Sequence, residues 1–172
     1  MSRDRAKPAG MLRTWPWFAL AALLIAADQL TKWVVVGYFA NRSPREEITG
    51  FLNLVLVYNK GAAFSMLADA PGWQTPLLVA FALGAAGIVS YLILRNPAKR
   101  LLCLGLALLL GGALGNLIDR LRFGHVVDFL DFHALGWHWP AFNVADSAIT
   151  VGAVLLIIEG LVHRERRAGA PS

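Results

Sequence analysis

Sulfur chemistry and charge are both scarce in this chain. Its one cysteine, Cys103, excludes an internal disulfide, and its place inside an apolar run makes it a small packing residue. Charged residues occupy 16% of the 172 positions, against about 25% in soluble domains. Two stretches, 76–94 and 101–118, have no charged residue at all. There is no H-E-x-x-H pair and no cysteine cluster, so no metal is expected and His125, His133 and His138 read as interfacial histidines. Ser65 and Ser147 lack the G-x-S-x-G context of an activated serine. No glycine-rich phosphate cradle appears. The net charge of +5 does not point to nucleic acid, because the bases sit at segment ends rather than on one face or stripe.

What is present is apolar material, 57% of the chain, gathered into long runs. About 20 mostly apolar residues cross a hydrocarbon layer about 30 Å thick. Four runs meet that length, at about 15–38, 76–94, 101–118 and 142–162. The expected organisation is a basic tail (1–14), one transmembrane domain (15–162) and a second basic tail (163–172). The first run follows a basic start, as in a signal peptide, but Ile25-Ala26-Ala27 is a poor cleavage site and three spans follow, so it is read as a retained helix. Asn41 to Gly50 is polar and turn-like. Phe51–Tyr58 reads as a strand, Asn59-Lys60-Gly61 as a turn, and Ala62–Leu67 as the start of a short interfacial helix. A second polar and aromatic excursion covers 119–141.

Orientation follows from bases in the loops. The N-terminal segment, the 95–100 hairpin and the C-terminal segment hold 4, 3 and 3 Lys or Arg, against six spread over the longer remaining segments. Both termini are therefore expected in the cytoplasm, with Trp73, Trp137 and Trp139 at the opposite interface. Chemistry is expected on that outer side.

Ionisable groups in or near spans are costly and are functional hypotheses by default. Asp28 and Lys32 stand i,i+4, acid first, the favourable order for a helical ion pair, and read as a structural clasp near the outer boundary. Gly112, Asn116 and Arg120 recur every four residues and share one helical stripe, suited to holding a peptide backbone or a phosphate. Gly111 and Gly115 form a G-x-x-x-G pair that permits close helix approach. Asp119 reads as structural, and Glu159 is given no function. Asp128, in G-H-V-V-D-F, and Asp146, in F-N-V-A-D-S-A-I, are flanked by apolar residues, and Asn143 precedes Asp146 by three. Two carboxylates brought together in low dielectric share a proton, and such a pair can activate water and protonate a carbonyl. The residues alone leave the alternative open that each acid separately caps a helix or pairs with Arg120 or Arg122.

Five segments in one order carry a resemblance: D-Q-L-T-K at 28–32, Y-N-K-G-A-A-F at 58–64, G-N-L-I-D-R at 115–120, V-V-D-F at 126–129 and F-N-V-A-D at 142–146. Together with four spans they make the chain resemble the bacterial lipoprotein signal peptidase (type II signal peptidase) family, from about Trp17 to Leu161. The resemblance implies an all-α integral membrane fold, with four transmembrane helices, a small extracytoplasmic β-sheet and a short interfacial helix. It implies an aspartyl endopeptidase with Asp128 and Asp146 as catalytic pair. Asn59, Gly61, Asn116, Arg120 and Asn143 would line the substrate site or position the pair, and Asp28, Lys32 and Asp119 would support the structure. The implied substrates are diacylglyceryl-modified prolipoproteins, cut before the lipidated cysteine in the bacterial inner membrane. Membrane lipids surround the protein, and no cofactor, nucleic acid or obligate protein partner is implied. The rival classes are a small transporter with Asp28, Asp146 and Arg120 on its path, and an assembly subunit using the G-x-x-x-G face.

Overall fold

The computed structural model describes residues 14–61 and 72–168, with side chains as far as 162. Among the described residues, four helices are long and apolar enough to cross a membrane: α1 (Trp15–Phe39), α2 (Gln74–Arg95), α3 (Arg100–Phe123) and α4 (Val144–Ala168). Between them run β1 (Arg45–Thr49), β2 (Leu52–Asn59), β3 (Val126–Ala134) and β4 (Trp137–His138), one antiparallel sheet in the order β1-β2-β3-β4. The expected interfacial helix at 62–67 lies outside the described residues.

Helix α3 is the centre of the bundle. More than half of its apolar window (56%) is buried inside the protein, against 22%, 6% and 17% for α1, α2 and α4, and it packs against all three. Its glycines explain how. A Cβ on Gly111 would stand 2.9 Å from the Leu24 Cβ of α1; one on Gly105 would stand 3.0 Å from the Gly152 carbonyl of α4. Glycine weakens a helix by roughly 1 kcal/mol relative to alanine, but in lipid, where apolar surface has no drive to leave its solvent, close backbone approach is what holds helices together. The G-x-x-x-G face is thus taken up by α1 and α4 within this chain. Ala21, Ile93, Leu106 and Leu110 form the core of this end of the bundle.

Two boundaries differ from the sequence reading, each for a physical reason. Asn116, Asp119 and Arg120 do not end the third helix, which continues to Phe123. Asn116 and Asp119 bond to α1, Asn116 also to α4, and Arg120 Nη2 donates to the Gly61 carbonyl, while Arg120 Nε is buried without a hydrogen-bond partner among the described residues. The stop comes at Gly124, whose left-handed φ of 74° and N–H to the Arg120 carbonyl close the helix, as glycine at this position does without a Cβ penalty. After His125 the chain is already in β3, a strand the apolar-and-acid mixture of 126–134 did not announce. The polar 41–50 segment likewise contains a strand, β1, fully exposed and held by pairing with β2.

The sheet rests on the end of α1. Val35 and Phe39 pack against Phe129 of β3, with Leu54 and Leu56 of β2 around them. Strand β3 is buried on both faces from Val126 to Phe129, so its side chains divide between this apolar cluster and the polar site opposite. A register shift between Leu54 and Val57 sets Val57 against Asp128 and Asn59 against Val126, which brings Asn59 onto the face of Asp128.

Candidate active site

The two acids arrive from different elements. Asp128 is the third residue of β3, 2% exposed; Asp146 is in the first turn of α4. One residue touches both. The Asn143 side-chain Nδ2 donates to Asp128 Oδ1 (2.7 Å), and its backbone N–H donates to Asp146 Oδ2 (3.3 Å). Asn143 Oδ1 in turn accepts the Asp146 backbone N–H (2.9 Å). That reciprocal exchange is a capping box, so Asn143 is the cap before α4 and not yet part of its face. Asp146 is thus a helix-cap acid that also shares Asn143 with Asp128. A carboxylate here also faces the positive end of the helix dipole.

The remaining donors complete the shell. Asn116 Nδ2 donates to Asp146 Oδ1 (2.7 Å), and Asn59 Nδ2 to Asp128 Oδ2 (3.1 Å). Asn59 Oδ1 accepts the Gly61 N–H (2.9 Å), an Asx-type turn. The Gly61 carbonyl accepts from Arg120 Nη2 (2.9 Å). Thus the guanidinium is tied to the 59–61 turn. Gly112 parts from its stripe. It lies under α4, where a Cβ would come 2.4 Å from the Ala145 carbonyl, so it packs helices rather than facing the site.

Burial pushes the Asp128 carboxyl up to about 7, and the neighbouring charge of Asp146 adds to the effect. The amide donors of Asn59 and Asn143 and the charge of Lys32 oppose it without cancelling it. Near neutrality the pair therefore retains a proton.

Asp28, Lys32 and Asp119 form a buried ion cluster beneath this shell. Lys32 Nζ lies 2.8 Å from Asp28 Oδ2 and 2.9 Å from Asp119 Oδ2. The clasp foreseen within α1 extends to α3 and beyond, because Asp28 Oδ1 accepts the Ala145 N–H (3.0 Å) and Asp119 Oδ2 the Val127 N–H (3.1 Å). Gln29, not singled out in the sequence, donates to Asp119 Oδ1 (2.8 Å) and the Gly115 carbonyl (3.2 Å); its signal was an amide wedged between Asp28 and a leucine in an apolar helix. Also missed was Asp131, buried on β3. Burial raises its pKa, but hydrogen bonds from Asn53 and His138, and the charges of His138 and Arg45, outweigh that and hold it low. His133 stacks on His138 beside it (5.2 Å between centroids), so these histidines belong to the sheet.

A cavity of ≈ 580 Å³ opens from the two acids. Asn59, Asn116, Arg120, Asp128 and Asp146 line its polar end; Leu78, Phe81, Ala82 and Ala85 of α2, Ile149 and Val151 of α4 and the 139–142 segment line much of the rest. Its shape suits a ligand that is polar at one point and apolar elsewhere.

A four-span bundle with two carboxylates joined through one asparagine, at the polar end of an apolar cavity, is a membrane protein with groups suited to acid–base chemistry. The profile of the signal peptidase II family matches residues 20–162. The chain is 53% identical over 161 residues to the lipoprotein signal peptidase of Paraburkholderia phymatum, covering 94% of this chain and 96% of that protein. It is 54% identical to the lipoprotein signal peptidase of Ralstonia nicotianae, covering 94% and 92%. A bacterial membrane enzyme solved by the in meso method superposes with a TM-score of 0.77 at 27% identity, covering 91% of this chain and 94% of that one. The chain belongs to the signal peptidase II family, and it is a multi-pass membrane peptidase.

Proposed function

We propose that this protein cleaves diacylglyceryl-modified prolipoproteins immediately before the lipidated cysteine, with Asp128 and Asp146 as the catalytic pair. The observation that carries the reading is the Asn143 side chain and backbone reaching both carboxylates. In the reaction one carboxylate accepts a proton from water as its oxygen attacks the scissile carbonyl carbon. The other, protonated, donates to the carbonyl oxygen. As the resulting gem-diol collapses the C–N bond breaks, the pair's proton passes to the departing amine, and one gem-diol hydroxyl gives its proton back to the pair, which again shares one. No covalent enzyme intermediate forms.

Asn59, Gly61, Asn116, Arg120 and Asn143 orient the substrate backbone and the pair, while Asp28, Lys32 and Asp119 support them. The apolar walls from α2 and α4 suit the signal-peptide helix and acyl chains of a substrate that diffuses in the bilayer plane. The distribution of loop bases supports cytoplasmic termini and a site near the outer face of the inner membrane.

Purified enzyme in lipid is expected to process a diacylated precursor and leave its unmodified counterpart intact, as read by mass spectrometry of the products. Equal processing of both would remove the lipid requirement from this proposal. The pH dependence follows from Asp128. A carboxyl raised to about 7 loses its proton as pH rises through that value, so the shared proton is lost on the alkaline side and kcat is expected to fall there. A kcat unchanged from about pH 6 to about pH 9 would contradict proton sharing.

A further inference from the structure

We propose that Lys32 is a positioning residue for the catalytic pair: by offering only donors to Asn116, it sets the direction of the Asn116 side-chain amide that meets Asp146 and, through the Asn116 oxygen, reinforces that of the Asn143 amide that meets Asp128. The inference rests on the reading of those acids as catalytic.

An ammonium has three donors and no acceptor. Lys32 is 3% exposed, and its Nζ faces Asp28 Oδ2, Asp119 Oδ2 and, at 2.9 Å, Asn116 Oδ1. Asn116 must therefore present its carbonyl oxygen to Lys32, which turns its NH₂ towards Asp146 Oδ1. The same Asn116 oxygen accepts a second bond, from Asn143 Nδ2 at 3.2 Å. The Asn143 amide runs the same way, with NH₂ towards Asp128 Oδ1 and the Val127 carbonyl (3.2 Å) and oxygen towards the Asp146 N–H, so Asn116 and the two backbone groups hold it together. An amide can otherwise turn over with little change in shape. Here Lys32 gives the Asn116 amide its direction, the backbone at Val127 and Asp146 gives the Asn143 amide a matching one, and both end as donors to carboxylate oxygens. Turned over, each would present oxygen to oxygen and demand an extra proton.

The two acids flanking Lys32 act on the backbone next to the same pair. Asp28 holds the N–H of Ala145, the neighbour of Asp146, and Asp119 holds the N–H of Val127, the neighbour of Asp128. The ion cluster on α1 and α3 thus grips β3 and α4 one residue from each catalytic acid. The charged groups around the pair are Asp28 and Lys32 from α1 and Asp119 and Arg120 from α3. Among these, the Lys32 charge lowers the pKa of Asp128.

The test uses purified full-length protein in lipid and a diacylated precursor, with Lys32→Met, the charge-balanced pair Lys32→Met with Asp119→Asn, and Asp128→Asn as reference. Lys32→Met is expected to move the pH-rate profile to higher pH. The charge-balanced variant removes one cation and one anion, so net charge is unchanged; its kcat is expected to remain about 10²-fold low, with KM unchanged, as for a misplaced reacting group. A charge-balanced variant with wild-type kcat and pH profile overturns the proposal and leaves the catalytic pair standing. Full turnover by Asp128→Asn instead removes the pair itself. If the charge-balanced variant does not accumulate, Asn116→Asp decides. It puts oxygen on both sides of position 116, so its activity is expected only at pH values below the wild-type optimum, and a wild-type profile there overturns the proposal.

Discussion

Asp128→Asn and Asp146→Asn are each expected to lower turnover of a diacylated precursor by about 10²–10⁴-fold, the scale of a lost general acid or base, while inserting and folding normally. The structure explains why folding survives. Asp128 accepts on Oδ1 from Asn143 and on Oδ2 from Asn59, so an amide in its place sets one NH₂ against a donor, a conflict worth roughly 1–3 kcal/mol when buried. Opposing that loss, the substitution removes a charge from a buried site. The sign is explicit. A carboxyl at 3.8 when unfolded and about 7 when folded binds its proton more tightly in the folded state, so wild-type stability falls as pH rises across that interval. Asp128→Asn has no such proton to lose. Thermal melts of wild type and variant in the same detergent should therefore draw apart as pH rises, with the variant gaining. Full turnover by either variant would end the reading of these residues as an acid–base pair.

Gly112→Ala is expected to be nearly as damaging without touching any polar group. Its Cβ would lie 2.4 Å from the Ala145 carbonyl oxygen and 2.7 Å from Ile149 Cγ1. The isoleucine can rotate aside; a helix carbonyl cannot. Relief requires α4 to move away from α3, at a cost of about 1–3 kcal/mol for an overpacked interface. Asp146 follows Ala145 directly, so the movement carries one acid away from Asn116 and Asn143. A displacement of about 1 Å at a reacting group can cost on the order of 10²-fold in rate. Gly87→Ala on α2, where nothing lies within 4 Å of the added Cβ, is the control and should process precursor as wild type does. A Gly112→Ala protein with wild-type melting and turnover would mean that the α3–α4 contact yields without disturbing the site.

The contrast between these glycines shows where sequence reading stops. Gly111 and Gly115 form one spaced pair and Gly112 heads a polar stripe, yet Gly111 meets α1, Gly112 meets α4, and Gly115 leaves room for the Asp28 carboxylate. A spacing rule says that a helix can be approached closely; it does not name the neighbour. Strand β1 shows the same limit, since its residues are polar and exposed and its order comes from pairing with β2.

The sequence by itself determined the solvent, the four spans, the strand leading to Asn59 and the small set of polar residues set against apolar neighbours. These follow from free energies that are local and large: an unpaired polar or charged group in hydrocarbon is costly enough that its rarity marks it. Only the tertiary structure decided which of those groups meet. Asn143 between Asp128 and Asp146, the Lys32 cluster beneath them, and the direction of each amide depend on the register of β2 on β3 and the depth of α4 against α3. Hydrogen bonds fall off within a fraction of an ångström and with angle, so they are settled by the packing of distant segments and leave little trace in residue spacing.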